Sequence, residues 1–296
     1  MLASILSFII TAAMISAIYA LVAIGFTMIF GVGGVLNLAH GGLLMIGAYA
    51  FLVVTSGSVV PMISIPPIAG LVVAALVAAV LSYALYAGLV RYVEENVVIT
   101  FLVTVVVAVL LAELAIFQFS PSPRSLTNLA PGSLYIEAIG VRVLYIELVG
   151  FVLSWLLIGA LWYYVTQTDG GRSILATSMT ERGAKLTGVN IGRVKAQTWF
   201  IAGGLAGIAG VFLGTLQQTS PVMWLDPLAI AFIIVVVGGI GSIKGSLVAA
   251  YLIGFLETGT VAVFGPEFRG MLSLLVVIGV ILVRPEGLYG REFIHE

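Results

Sequence analysis

The chain has 296 residues, of which 61% are hydrophobic and 8% charged, with 12 basic and 13 acidic side chains and a net charge of −1. Ordinary globular domains carry about a quarter charged residues, so this composition excludes a water-soluble domain and requires lipid. The slightly acidic balance gives nucleic acid no electrostatic handle, and the absence of cysteine excludes disulfides and thiolate metal sites.

No charged residue precedes Arg91. The opening Met1-Leu2-Ala3-Ser4-Ile5 lacks the positive region of a cleaved signal peptide, so the first apolar run reads as a retained membrane segment. Apolar runs follow at 3–31, 41–56, 66–90, 97–119, 144–166, 198–218, 227–239, 246–263 and 270–283. A span uses about 20 apolar residues, which makes the first run long and the seventh short. The expectation is an all-α polytopic transmembrane bundle of eight to ten segments, forming one domain over 1–296. Hydrocarbon offers no hydrogen-bond partners, so strands are confined to segments outside it, here the Pro- and Gly-containing loop 120–143.

Basic residues set orientation. Arg91, the island Gln167–Gln197 with Arg172, Arg182, Lys185, Arg193 and Lys195, and Arg284 with Arg291 mark the cytoplasmic side. Counting spans places loop 120–143 and the N-terminus outside and the C-terminus in the cytoplasm. Within the island, Ser178-Met179-Thr180-Glu181 has capping-box spacing, and Gly188 suits a helix stop. The spacing predicts a two-turn helix over Met179–Thr187, with Met179, Leu186 and Val189 as apolar contacts and Arg182 and Lys185 on one face. So short a helix is marginal alone and must pack on something. Asn190 can cap the next helix. The island is either a topology-fixing loop or a docking segment for a soluble partner.

A short capped helix between stops resembles the coupling segment of ATP-binding-cassette importer permeases. Glu181-Arg-Gly-Ala-Lys-Leu-Thr-Gly-Val-Asn190, Ile191-Gly-Arg-Val-Lys-Ala and Phe200-Ile-Ala-Gly-Gly-Leu-Ala-Gly-Ile-Ala-Gly210 are similar to branched-chain amino-acid ABC transporter permeases of the LivH/LivM type. So are Asn37-Leu-Ala-His-Gly-Gly42, Gly238-Gly-Ile-Gly-Ser242 and Arg284-Pro-Glu-Gly-Leu288, and length and N-terminus lean toward LivH. The resemblance implies a prokaryotic plasma-membrane permease without a bound cofactor. Its partners would be a second, LivM-like permease, two cytoplasmic subunits using ATP and magnesium, and an extracytoplasmic substrate-binding protein. Ser178, Glu181, Arg182, Lys185, Leu186 and Gly188 would then form the ATPase-coupling segment. Substrates would be leucine, isoleucine and valine; relatives carry urea, short amides or other amino acids. Lys244 departs from the proline frequent in the family at that place.

Two glycine-rich segments share an outline, Gly31–Gly42 and Gly238–Gly245. Broken helices line substrate paths in many transporters, which makes Asn37, His40, Gly41, Gly42, Gly239, Gly241 and Ser242 candidates for the passage. Turns between antiparallel helices would use glycine equally. A lone His40 is more often a hydrogen-bonded structural residue than a proton carrier, and it has no neighbours for a metal site. Glu113 and Glu257 lie within or near apolar helices, where ionisable groups are costly; they read as a proton or substrate relay, or as a partner for the basic loop or a helix-end contact. Gly203, Gly207, Gly210 and Gly214 have small-xxx-small spacing for close packing. Trp224 and Asp226, with loop 120–143, are candidates for docking the binding protein.

No phosphate-binding loop ending in Gly-Lys-Ser/Thr occurs, so the chain is not itself the ATPase. An ion-coupled secondary transporter would need acidic residues near both glycine breaks. An intramembrane enzyme would need a nucleophile–base pair or a His-Glu-x-x-His motif, and neither is recognisable.

Overall fold

The computed structural model describes residues 2–57, 64–137 and 140–290; Arg291, one of the orientation markers, lies outside them. Eleven α-helices follow one another: α1 (Leu2–Gly33), α2 (Ala39–Ser56), α3 (Pro67–Gly88), α4 (Val97–Phe119), α5 (Tyr145–Gln167), α6 (Asp169–Met179), α7 (Glu181–Leu186), α8 (Ile191–Gln217), α9 (Leu225–Gly238), α10 (Ile243–Phe264) and α11 (Met271–Val283). Between α4 and α5, β1 (Ser133–Ile136) and β2 (Val141–Leu144) pair antiparallel, Ser133 opposite Leu144. The expected strand site in loop 120–143 is thus occupied by a hairpin.

Among the described residues eight helices are long and apolar enough to cross a membrane. The first apolar run forms one continuous 32-residue helix, about 48 Å long at 1.5 Å per residue. The seventh, α9, has 14 residues and reaches only about 21 Å, less than a hydrocarbon core of about 30 Å. Asn96 starts α4 by accepting from the Val98 and Ile99 amides, both at 3.1 Å, donors that a helix N-terminus otherwise leaves unpaired.

α1 runs through the centre, packed by α5, α8, α9 and α10, and its Ile18, Leu21, Ile24 and Phe26 are buried. Close backbone approach organises the rest. A methyl at Gly47 of α2 would lie 2.5 Å from the Gly207 Cα of α8, and one at Gly210 would strike the Leu44 carbonyl oxygen. The small-residue stripe of α8 is therefore the seam against α2 and α3.

The connections sort to two ends. Arg124 and Thr219 exchange backbone hydrogen bonds, each 2.8 Å, joining loop 120–143 to the segment before α9. The N-terminal part of α1 lies at this end, where Met14 packs with Val141 and Val143. At the other end, Lys195 of α8 meets Glu94 in the α3–α4 link. There too the Lys244 ammonium sits 5.0 Å from the centre of the Trp162 ring of α5. Among the described residues, the basic residues expected on one face are gathered there, and Arg124 and Arg142 lie at the opposite end.

Two substitutions test the seam. Gly47→Ala is expected to lower the melting temperature of the detergent-solubilised protein by several degrees and to broaden its size-exclusion peak. Gly159→Ala, with nothing within 4 Å of the added methyl, is expected to be neutral or slightly stabilising, because alanine favours helix by up to about 1 kcal/mol. Equal effects of both would contradict the packing.

Candidate functional site

The basic island folds differently from the expected two-turn helix. α6 occupies Asp169–Met179, started by Thr168, whose hydroxyl accepts from the Gly171 amide at 3.1 Å. Ser178 is therefore inside the end of a helix, donating to the Leu175 carbonyl at 2.8 Å; it is not an N-cap. Thr180 caps α7 in its place, accepting from the Gly183 amide at 3.3 Å. Both residues offered a hydroxyl, and the continuing helical pattern of α6 takes Ser178. Glu181 becomes the first residue of α7 and its carboxylate turns to lysines.

The stop at Gly188 has the geometry expected of it. Gly188 has φ 84°, its amide donates to Lys185 at 3.0 Å, and the Val189 amide donates to Ala184 at 3.1 Å. This crossed pair satisfies the last carbonyls of α7. Asn190 then caps α8, accepting from the Arg193 amide at 3.0 Å.

The apolar contacts are redistributed. Ala184 is the buried residue of α7 and Val189 packs on the core, whereas Met179 and Leu186 are exposed, Leu186 at 84%. Arg182 and Lys185 are exposed as well. Leu186 thus stands on the tip of α7 beside two exposed cations.

Lys195 holds this segment to the bundle, a role that charge counting did not suggest. It is only 6% exposed, and its ammonium lies 3.2 Å from a Glu94 carboxylate oxygen and 3.3 Å from one of Glu181. One buried cation thus joins α8, α7 and the α3–α4 link. The sequence did carry a signal: Lys195 falls on the helical stripe Ile191, Val194, Thr198, Trp199 and Ala202, all buried. A cleft of about 1160 Å³ opens beside it between α3, α5 and α8, with Arg91, Glu94, Tyr164 and Arg193 in its lining.

Partial burial alone would raise the Glu181 carboxyl, but the Lys195 and Lys185 ammonium groups outweigh it and hold it below the ordinary carboxylate value. Its stabilising contribution is therefore complete above the ordinary carboxylate range and is lost as pH falls through the lowered value.

The two glycine-rich segments prove different in kind. Residues 239–242 form a tight turn between α9 and α10, with Gly239 at φ 99°, Gly241 at φ 79°, and Ser242 capping α10 by accepting from the Gly245 amide at 3.1 Å. The tail closes over it: the Leu288 and Tyr289 amides donate to the Val237 and Gly238 carbonyls at 2.8 and 3.0 Å. By contrast, the other segment is exposed only at Gly34, and residues 35–38 are buried or half-buried. The Thr104 hydroxyl of α4 accepts from the Leu38 amide at 3.3 Å and shares its proton between the Phe101 carbonyl at 2.9 Å and the Leu36 carbonyl at 3.3 Å. The whole first turn of α2, including His40, Gly41 and Gly42, is buried. His40 Nε2 donates to the Val22 carbonyl at 3.1 Å, the structural role favoured for it. Asn37 is buried with no side-chain partner among the described residues.

The segments nevertheless meet. A methyl on Gly31 would lie 3.0 Å from the Gly241 Cα, and the Thr27 and Ser246 hydroxyls share a 2.5 Å hydrogen bond. A methyl on Gly41 would lie 2.6 Å from the Trp224 carbonyl oxygen, so the starts of α2 and α9 touch inside the bundle. Trp224 is half-buried there and Asp226 is exposed in the first turn of α9. Glu257 is a helix-end contact: it is 3% exposed and accepts from the Gly270 amide at 2.9 Å and from the Ser273 hydroxyl at the start of α11.

Lys195→Ala is expected to lower stability by about 2–3 kcal/mol, since removing one partner of a buried pair strands charge, with Glu94 and Glu181 partly hydrated. Lys185→Ala, breaking an exposed 3.4 Å pair with Glu181, is expected to cost at most about 0.5 kcal/mol. Thermal denaturation in detergent reads both. The difference should persist across about pH 6–8, far above carboxylate titration, and shrink in acid.

Comparison with known proteins accounts for this architecture. Residues 8–281 match the family described as branched-chain amino acid transport system / permease component. The chain is 28% identical over 290 residues to the high-affinity branched-chain amino acid transport system permease protein BraD of Pseudomonas aeruginosa, covering 95% of this chain and 94% of that one. It is 27% identical to LivH of Escherichia coli K12, over 94% and 93% of the two chains, and 25% identical to a probable LivH of Methanocaldococcus jannaschii, over 94% and 90%. No solved structure matches. The family match over most of its length makes this multi-pass membrane protein a member of the branched-chain amino acid transport permease family.

Proposed function

We propose that the chain is the LivH-like permease subunit of a binding-protein-dependent ABC importer that carries leucine, isoleucine and valine into the cell. It holds no catalytic residue and no cofactor of its own. Two cytoplasmic subunits hydrolyse ATP with magnesium, a second LivM-like permease completes the passage, and an extracytoplasmic binding protein delivers substrate. In this reading the end bearing α6 and α7 faces the cytoplasm, which the concentration of basic residues there supports, with the N-terminus outside and the C-terminus inside. Printed names of the relatives, BraD and LivH, support the substrate class.

The observation that carries the reading is α7 itself: a capped helix outside the membrane, pinned by buried Lys195, that presents Leu186 and Arg182 to water. A helix free to swivel could not pass a push from an ATPase to the bundle; one tied to α8 and to the α3–α4 link can. Ligand and nucleotide then shift the inward–outward equilibrium only through their different affinities for the two states. Trp224 and Asp226, five and seven residues after the Thr219 that bridges to Arg124 of loop 120–143, are the proposed contact for the binding protein. The position of Glu257, committed to α11, speaks against an ion-coupled relay.

The test is transport by the assembled complex in liposomes. Uptake of leucine, isoleucine and valine should require ATP and the binding protein, and Leu186→Asp should abolish binding-protein-stimulated ATPase activity while the permease pair still co-purifies. Uptake without any ATPase subunit would overturn the ABC reading; preference for urea or short amides would overturn the substrate.

A further inference from the structure

α4 presents a charge where lipid would be expected. Its buried face is Thr100, Thr104, Val107, Ala108, Leu111, Ala112 and Ala115. Glu113 follows Thr104 by nine residues, about two and a half turns, so it projects from the opposite side of the helix. It is exposed, among Leu102, Val106, Val109, Leu110 and Phe117, and has no hydrogen-bond or ion-pair partner among the described residues. It sits about 9 Å inside the Phe119 end of the span, too deep for a two-carbon side chain to reach interfacial water. A carboxylate in that place is costly against lipid, and such residues face a protein partner or a water-filled cavity.

We propose that this face of α4 lines the passage between the two permease subunits, and that Glu113 is the site that takes the ammonium group of the amino-acid substrate. The inference rests on the importer reading above. An α-amino acid brings one cation and one anion into the membrane, and the cation needs a charge-assisted acceptor. Glu257, the other acidic side chain well inside an apolar helix, is committed to the α11 N-terminus, while Glu147 and Asp226 lie in the first turns of α5 and α9. The surrounding Val106, Val109 and Leu110 suit an aliphatic side chain beside the held ammonium.

The chain contains no cysteine, so Glu113→Cys gives a single thiol in this subunit, and cysteine-free partners complete a clean background. In the reconstituted importer that thiol should react with a membrane-impermeant, trimethylammonium-bearing thiosulfonate, and leucine with binding protein should slow the reaction. Glu113→Gln should reduce leucine uptake at least about tenfold, the loss of one charge-assisted hydrogen bond, with the second permease still co-purifying. Reaction only with lipid-soluble maleimides would place the face against lipid and overturn the proposal. Loss of the second permease from Glu113→Gln would overturn it too, by making Glu113 a static ion pair between subunits. So would unchanged uptake. Failure of the wild-type complex to take up any amino acid would sink the importer reading instead, and leaves the thiol accessibility to be read separately.

Discussion

One buried ammonium ties three separate parts of this molecule together. Lys195 stands at the point where α8 emerges from the bundle, and the two carboxylates around it come from elements with no other strong tie to each other, α7 and the α3–α4 link. Burying a cation is unfavourable unless it is paired; the geometry is therefore all or nothing. With both carboxylates in place the short helix is fixed. Without them Lys195 would have to leave its position or remain uncompensated. α7 has only six residues and could not persist as an isolated helix, so its shape depends on this contact and on the caps at Thr180 and Gly188.

The bundle behind that contact is built on close backbone approach. Lipid gives no hydrophobic driving force between helices, so association relies on tight packing and interhelical hydrogen bonds. The Gly47–Gly207 contact, the Gly31–Gly241 contact and the Thr27–Ser246 hydrogen bond are of this kind. They run from the middle of the bundle to the end that carries Lys195. α8 and α2 thus meet through bare backbone, and Asn37 and the first turn of α2, with His40, are buried beside that contact.

Much of this was legible beforehand for physical reasons. Nine apolar runs could be counted because hydrocarbon demands length, and the island was visible because charge is scarce elsewhere. Gly188 could be read because few residues adopt φ 84°. Other features were not open to local reading. Ser178 and Thr180 are both competent caps, and only the extent of α6 decides between them. The apolar contacts assigned to Met179 and Leu186 assumed that a short helix buries its largest residues; here Ala184 is buried and the large ones face water. Lys195 was counted as one more basic residue, although its place on the stripe of Ile191, Val194 and Trp199 marked it as inward. The two glycine segments look alike in sequence, but one is a tight turn and the other an irregular, largely buried link beside Thr104. That difference depends on a partner 68 residues away.

The central claim, that α7 and the α3–α4 link move as one body through Lys195, is tested most directly by a distance measurement. Spin labels introduced by Arg182→Cys and Glu95→Cys, both exposed positions, report the separation by pulsed electron resonance in the assembled complex. The expected result is one narrow distance distribution that stays the same with and without nucleotide and broadens when Lys195→Met is added. A distribution already broad in the otherwise wild-type chain, or one that shifts with nucleotide while Lys195 is intact, would contradict the account.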